Sequence, residues 1–149
     1  MKHLLLIVVA ISFLAIAGTS VRAQVVDTIE ADIPFGFTVR NTTLPAGQYT
    51  IRRMDSVAPW VMQIRNADGT RRMVFLVSSA QAHKTPGQTK LVFDRVGDKY
   101  FLAEIFEIGN SSGVELQKSR VEEKLEKEGA LTQLHSVVVP GQTSMNARR

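Results

Sequence analysis

The chain has no cysteine at all, and only one tryptophan, two tyrosines and three histidines among its 149 residues. The missing cysteine excludes a disulfide scaffold, a thiolate nucleophile, a cysteine zinc site and a lipid-modified cysteine at an export site. Stability must therefore come from packing. A hydrophobic run long enough to cross a bilayer is also missing. The apolar stretch from Leu4 to Ala17 is fourteen residues with Ser12 inside it, against the roughly 18 to 20 that a spanning helix needs.

That stretch reads instead as the centre of a secretory signal peptide. Lys2 opens the chain, and Val21-Arg22-Ala23 closes the leader with small residues at the two positions a signal peptidase reads. Cleavage is expected between Ala23 and Gln24. Losing the first 23 residues leaves enough chain for one domain with a buried core. It also removes Lys2 and Arg22 from the 18 basic residues, which brings them close to balance with the 14 acidic ones. The formal +4 is thus weak support for nucleic-acid binding, and none is expected.

The remainder has the patterning of strands and tight turns. Ile29, Ala31, Ile33, Phe35, Phe37 and Val39 fall on alternate positions, the period of a strand with one buried face. Pro34 lacks a ladder donor, so this is an edge strand or two short strands meeting at Pro34-Phe35-Gly36. Asn41 to Gly47 supplies turn formers, and Tyr49, Ile51 and Arg53 continue as a second strand. A type I′ turn at Asp68-Gly69 would pair Arg65 with Arg72, Ile64 with Met73 and Met62 with Phe75. Trp60, Met62, Ile64, Met73, Phe75 and Val77 would then line one apolar face.

A second hairpin turns at Gly97-Asp98, in the order that suits a type II′ turn. Leu91, Phe93, Leu102 and Phe106 share one parity, and Val92, Phe101, Ala103 and Ile105 the other. A pair apolar on both faces has to be covered on both, which makes it the central hairpin. Ser119-Arg120-Val121-Glu122 is a capping-box sequence opening a short helix that Gly129 ends. Val121 and Leu125 would dock that helix on the central hairpin. From residue 130 the chain reads as a loose tail, with Ser136 to Val139 able to add one strand.

Four segments in combination carry a resemblance: Ala31 to Phe37, Leu44 to Tyr49, Lys90 to Leu102 and Glu115 to Arg120. Together the chain resembles a family of small secreted bacterial proteins, which implies export in a Gram-negative cell and brings no activity or site residues with it. Leu44 to Tyr49 alone is similar to the turn-and-strand segment of transthyretin-like and immunoglobulin-type modules.

Chemistry-bearing motifs are scarce. No Gly-x-Ser-x-Gly elbow is present, and His83 and His135 are the only histidines past the leader, so the options for a nucleophile with its base are few and two distant histidines do not make a metal site. No catalytic residue, metal or cofactor is assigned. Glu30 and Asp32 read as a solvated strand face, whereas Glu104 shares its parity with Leu102, Phe106 and Leu91 and would need a partner there. Asn41-Thr42-Thr43 and Asn110-Ser111-Ser112 match the glycosylation pattern but serve equally as turn chemistry.

The sharpest surface feature is cationic. From Arg40 to Arg72 there are six arginines opposed only by Asp55 and Asp68. Arg65 and Arg72 should face each other, which is unfavourable unless an anion bridges them, and Arg52 points the same way. Such a patch suits an acidic glycan, a lipopolysaccharide phosphate or an acidic partner protein.

The expectation is a mainly β domain over residues 24–129, an antiparallel sandwich or partly open barrel of about seven strands with one short C-terminal helix. Its expected role is a non-enzymatic module of the periplasm or cell exterior that binds an anionic glycan or envelope protein or serves structure. Two other classes stay open. A small enzyme acting on glycans would need two acids converging at about 5 to 10 Å, and a carrier of an apolar ligand would need a barrel with a cavity.

Overall fold

The computed structural model describes residues 28–54 and 57–140, so the leader, its cleavage point at Ala23 and Gln24, and the end of the tail lie outside them. The described residues are mainly β, with one C-terminal helix. In order the elements are β1 (Thr28–Ile33), β2 (Phe37–Val39), β3 (Thr42–Leu44), β4 (Gly47–Arg53), β5 (Val61–Asn66), β6 (Arg72–Gln81), β7 (Lys90–Val96), β8 (Lys99–Phe106), β9 (Ser112–Leu116), α1 (Arg120–Lys127) and β10 (Thr132–Val138). The strand number exceeds about seven because β2 and β3 are three-residue strands and the stretch after residue 130 contributes β10.

The strands follow the path β1-β4-β5-β6-β9-β8-β2-β3, from which β7 and β10 branch at β8. One edge of β8 carries β7. The other is divided between β9, at Glu104 and Ile105, and β2, at Phe101. The β2–β8 ladder is parallel, the exception in an otherwise antiparallel sheet. The sheet does not close: β10 passes near β1 without a ladder between them.

Alternation builds β1, where Ile29, Ala31 and Ile33 are buried and Glu30 and Asp32 are exposed. Pro34 ends that ladder, and the chain crosses from pairing with β4 to pairing with β8 and β3. The β2–β3 turn has Arg40 at φ 58, a left-handed conformation that a side chain rarely adopts. Its guanidinium Nη1 donates to the Gln117 carbonyl at 2.8 Å and to Gln117 Oε1 at 3.0 Å, which fastens the turn to the segment after β9.

Phe37, Ile51, Ile64, Leu91 and Phe93 are at the centre of the main core, each with essentially no exposed surface. Burial of side chains this size contributes roughly 1.5 to 3 kcal/mol each. Tyr49 joins them, with its hydroxyl donating to the Pro45 carbonyl at 2.7 Å, so the turn before β4 is tied to the strand it feeds.

The β5–β6 register is the expected one, with Arg65 opposite Arg72, Ile64 opposite Met73 and Met62 opposite Phe75. Its turn is built differently. Gly69 is left-handed but Asp68 is not, and the Gly69 amide donates to the Asn66 carbonyl at 3.0 Å, so Ala67 and Asp68 are the central turn residues instead of a type I′ pair. Trp60 is not on the apolar face. Its carbonyl still accepts from the Val77 amide, but it precedes β5 and its side chain is 55 % exposed.

The central hairpin is covered on both faces, with one reassignment. A bulge opposite Val92 and Phe93 inserts Ala103, so Leu91 faces Ile105 and Val92 faces Glu104. Ile105 thereby joins Leu91 and Leu102 in the main core, while Phe106 moves to a smaller cluster with Val92 and Ala80. Helix α1 also turns differently from expectation. Val121 is exposed and Leu125 half-buried, and Glu122 is the residue pressed against the domain.

Candidate functional site

Cross-strand register places the arginines. On the outward side of β1, β4, β5 and β6, Glu30, Thr50, Arg65 and Arg72 form one row, and Thr28, Arg52, Gln63 and Val74 form the next. Neighbouring strands lie about 4.8 Å apart, so Arg65 and Arg72 are side by side while Glu30 is two strands away from Arg65. Both arginines are exposed, and neither has a hydrogen bond or ion pair among the described residues. Like charges in this position are mutually destabilising by a few tenths to about 1 kcal/mol.

Arg52 sits diagonally from Arg65 and is held differently. Its Nε and Nη2 donate to Gln63 Oε1 at 3.4 and 3.3 Å. Arg52 thereby lies over Gln63, which is only 5 % exposed although it points outward. A shallow groove of about 370 Å³ runs between Glu30, Arg52 and Arg65. Its walls offer guanidinium, amide and hydroxyl donors together with one carboxylate. This set can take a phosphate or carboxylate by charge-assisted hydrogen bonds.

The opposite character gathers beyond β9. Glu104, turned outward by the bulge, stands directly across from Glu115, which accepts from Ser78 Oγ at 3.1 Å. Burial raises the Glu104 carboxyl above its ordinary range, the Glu115 and Asp94 charges add to that, and Lys90 opposes it. Next to it, Glu122 is 4 % exposed and within hydrogen-bonding reach of Asp94. Burial pushes Glu122 up to about 7, the Ser119 amide and Lys118 pull it down, and Asp94 pushes it further up. Two acids within hydrogen-bonding reach are closer than the roughly 5 Å or more that glycoside chemistry uses.

Sequence patterning placed the three arginines on one face and missed the Asp94 and Glu122 contact. Asp94 lies in a strand apolar on both sides, which was the available signal. His83 is exposed, and His135 packs edge-on to Phe35 with ring centroids 5.2 Å apart. Asn110 uses its side-chain oxygen to accept from the Ser112 amide at 2.9 Å, an ordinary turn contact. No group of three or more potential metal ligands occurs among the described residues. No family model, curated protein or solved structure matches this chain.

Proposed function

We propose that the protein is an exported, non-enzymatic module of the bacterial envelope whose β4–β6 face binds phosphate or carboxylate groups on a partner. The observation that carries this reading is the direct opposition of Arg65 and Arg72 with no anion beside either among the described residues. A bound anion would relieve that repulsion, and the adjoining groove lets Arg52 contribute to the same ligand. The leader is the ground for placing the module outside the cytoplasm, in the periplasm or beyond.

The test uses heparin as the polyanionic probe. Arg65→Ser with Arg72→Ser should elute at clearly lower salt than the parent while keeping its circular dichroism spectrum. Unchanged retention of a folded double variant would falsify the reading.

A further inference from the structure

The cationic rows do not end in more polar surface. One row further along, Met54 pairs with Val61 through an amide-to-carbonyl bond of 3.0 Å, and Val61 stands opposite Leu76. Met54 and Leu76 are both exposed, Leu76 at 62 %, and Val74 beside it is half bare. The outward face is therefore graded: an apolar row, then Arg52 with Val74, then Arg65 with Arg72. Four residues of β6 separate Leu76 from Arg72, roughly 13 Å at strand rise. Trp60, more than half exposed, precedes Val61 at the same end of the sheet, but its carbonyl accepts from the amide of core-facing Val77, which gives it the opposite parity to this row.

We infer that this face docks on a bilayer carrying anionic headgroups, with Met54 and Leu76 entering the interface and Arg65 and Arg72 contacting phosphates above it. The inference rests on the anion-binding reading and names the bearer of the anion. The order of the rows favours a membrane over a soluble polyanion, because a glycan would leave the apolar row in water. A peripheral protein places apolar side chains about 5 to 10 Å into the headgroup and acyl boundary, with basic groups at the phosphates. A graded face about 13 Å long matches that depth. No helix among the described residues is long and apolar enough to span, so docking would be peripheral through this face.

The experiment sediments the processed chain with vesicles of phosphatidylcholine alone and of phosphatidylcholine mixed with phosphatidylglycerol. The single tryptophan of the chain, Trp60, is adjacent to Val61 and more than half exposed, so it reports the approach of lipid to this end of the sheet by a blue shift of its emission. Binding and a blue shift with the mixed vesicles alone are expected. Met54→Ser with Leu76→Ser should weaken that binding about tenfold or more and leave heparin retention unchanged. Arg65→Ser with Arg72→Ser should lose both. Vesicle binding that is absent, that survives the apolar double variant, or that leaves Trp60 emission unshifted overturns the inference while heparin retention keeps the anion-binding reading standing. Self-association of the vesicle-free protein that the apolar variant abolishes would assign the face to a second copy and overturn it too. If the arginine variant keeps its heparin retention, the underlying reading is what fails.

Discussion

Glu122 of the helix lies within hydrogen-bonding reach of Asp94 of β7, so the one helix among the described residues sets an acid against an acid where it meets that strand. With Glu122 pushed up to about 7 from an ordinary 4.5, the folded chain keeps a proton that the unfolded chain has released at neutral pH. Stability from this group is complete below about pH 4.5 and is lost as pH rises through about 7. The amount is at most on the order of 3 kcal/mol. Glu104 acts with the same sign, while the exposed Asp68 and the half-buried Glu126, both lowered, act with the opposite one.

Glu122→Gln isolates the effect, because an amide oxygen still accepts from the Ser119 amide and nothing titrates. Urea midpoints of the parent should fall between about pH 5 and about pH 8, and those of the variant should change much less. Parallel pH profiles for the two proteins would show that Glu122 is ionised in the fold throughout.

The Ser119 cap should matter more than the helix's length suggests. The Glu122 amide donates to Ser119 Oγ at 3.1 Å and the Ser119 amide donates to Glu122 Oε2 at 3.2 Å, both in buried surroundings. Ser119→Ala leaves the Glu122 amide without its acceptor and should cost about 1 to 2 kcal/mol. Ser119→Thr restores a neutral hydroxyl acceptor, and its recovery of stability in denaturant titrations separates loss of the cap from loss of packing.

Much of this architecture can be read from local pattern, and the exceptions have identifiable causes. The register that brings Arg65 to Arg72 follows from counting outward from Asp68-Gly69, and it survives a different turn geometry because the longer loop is still centred on those two residues. The Ser119 to Glu122 cap is likewise a four-residue property. Glu104 and Ile105 exchange faces because Ala103 is extruded as a bulge, and nothing in an alternating pattern marks where a ladder slips. The helix presents Glu122 in place of Val121 because its cap and Asp94 decide the buried side. The parallel pairing of β2 with β8 joins residues some sixty positions apart, beyond the reach of periodicity. For the site, the arginines were legible and the apolar row next to them was not. Leu76 has the outward parity of a strand whose neighbours Phe75 and Val77 are both core, so its exposure depends on nothing being packed over that face.

Gly113 is the position in β9 least able to accept a side chain. A Cβ there would overlap the Phe106 ring and come within 2.6 Å of the Ile105 carbonyl oxygen, which is backbone and cannot step aside. Gly113 also pairs with Ala80 across β6, so displacement would disturb the joint between β6 and β8. Gly113→Ala should cost about 1 to 3 kcal/mol, and Gly87→Ala, where no atom stands nearby, should cost little. Equal denaturation midpoints for the two variants would mean that β9 moves away from β8 at no cost.

Phe35 ties the start of the chain to its end. It stacks on Tyr100 at 4.0 Å between ring centroids, and it meets Phe93 and His135 edge-on, each at 5.2 Å. Those partners belong to β8, β7 and β10, so one half-buried ring after Pro34 bridges the central hairpin and the last strand. Aromatic geometry of this kind adds about 0.5 to 1.5 kcal/mol beyond area burial. Phe35→Leu should lose about that much, and Phe35→Ala roughly 2 kcal/mol or more because the ring's volume is also lost. The contact network further specifies where the loss falls. β10 has a ladder on one edge only, with β7, and Leu134 is largely bare, so β10 has few other contacts to replace the ring. Amide exchange in Phe35→Ala should therefore accelerate most at residues 132–138, ahead of the β5–β6 hairpin. Uniform acceleration across the sheet would show that β10 opens only with the whole domain.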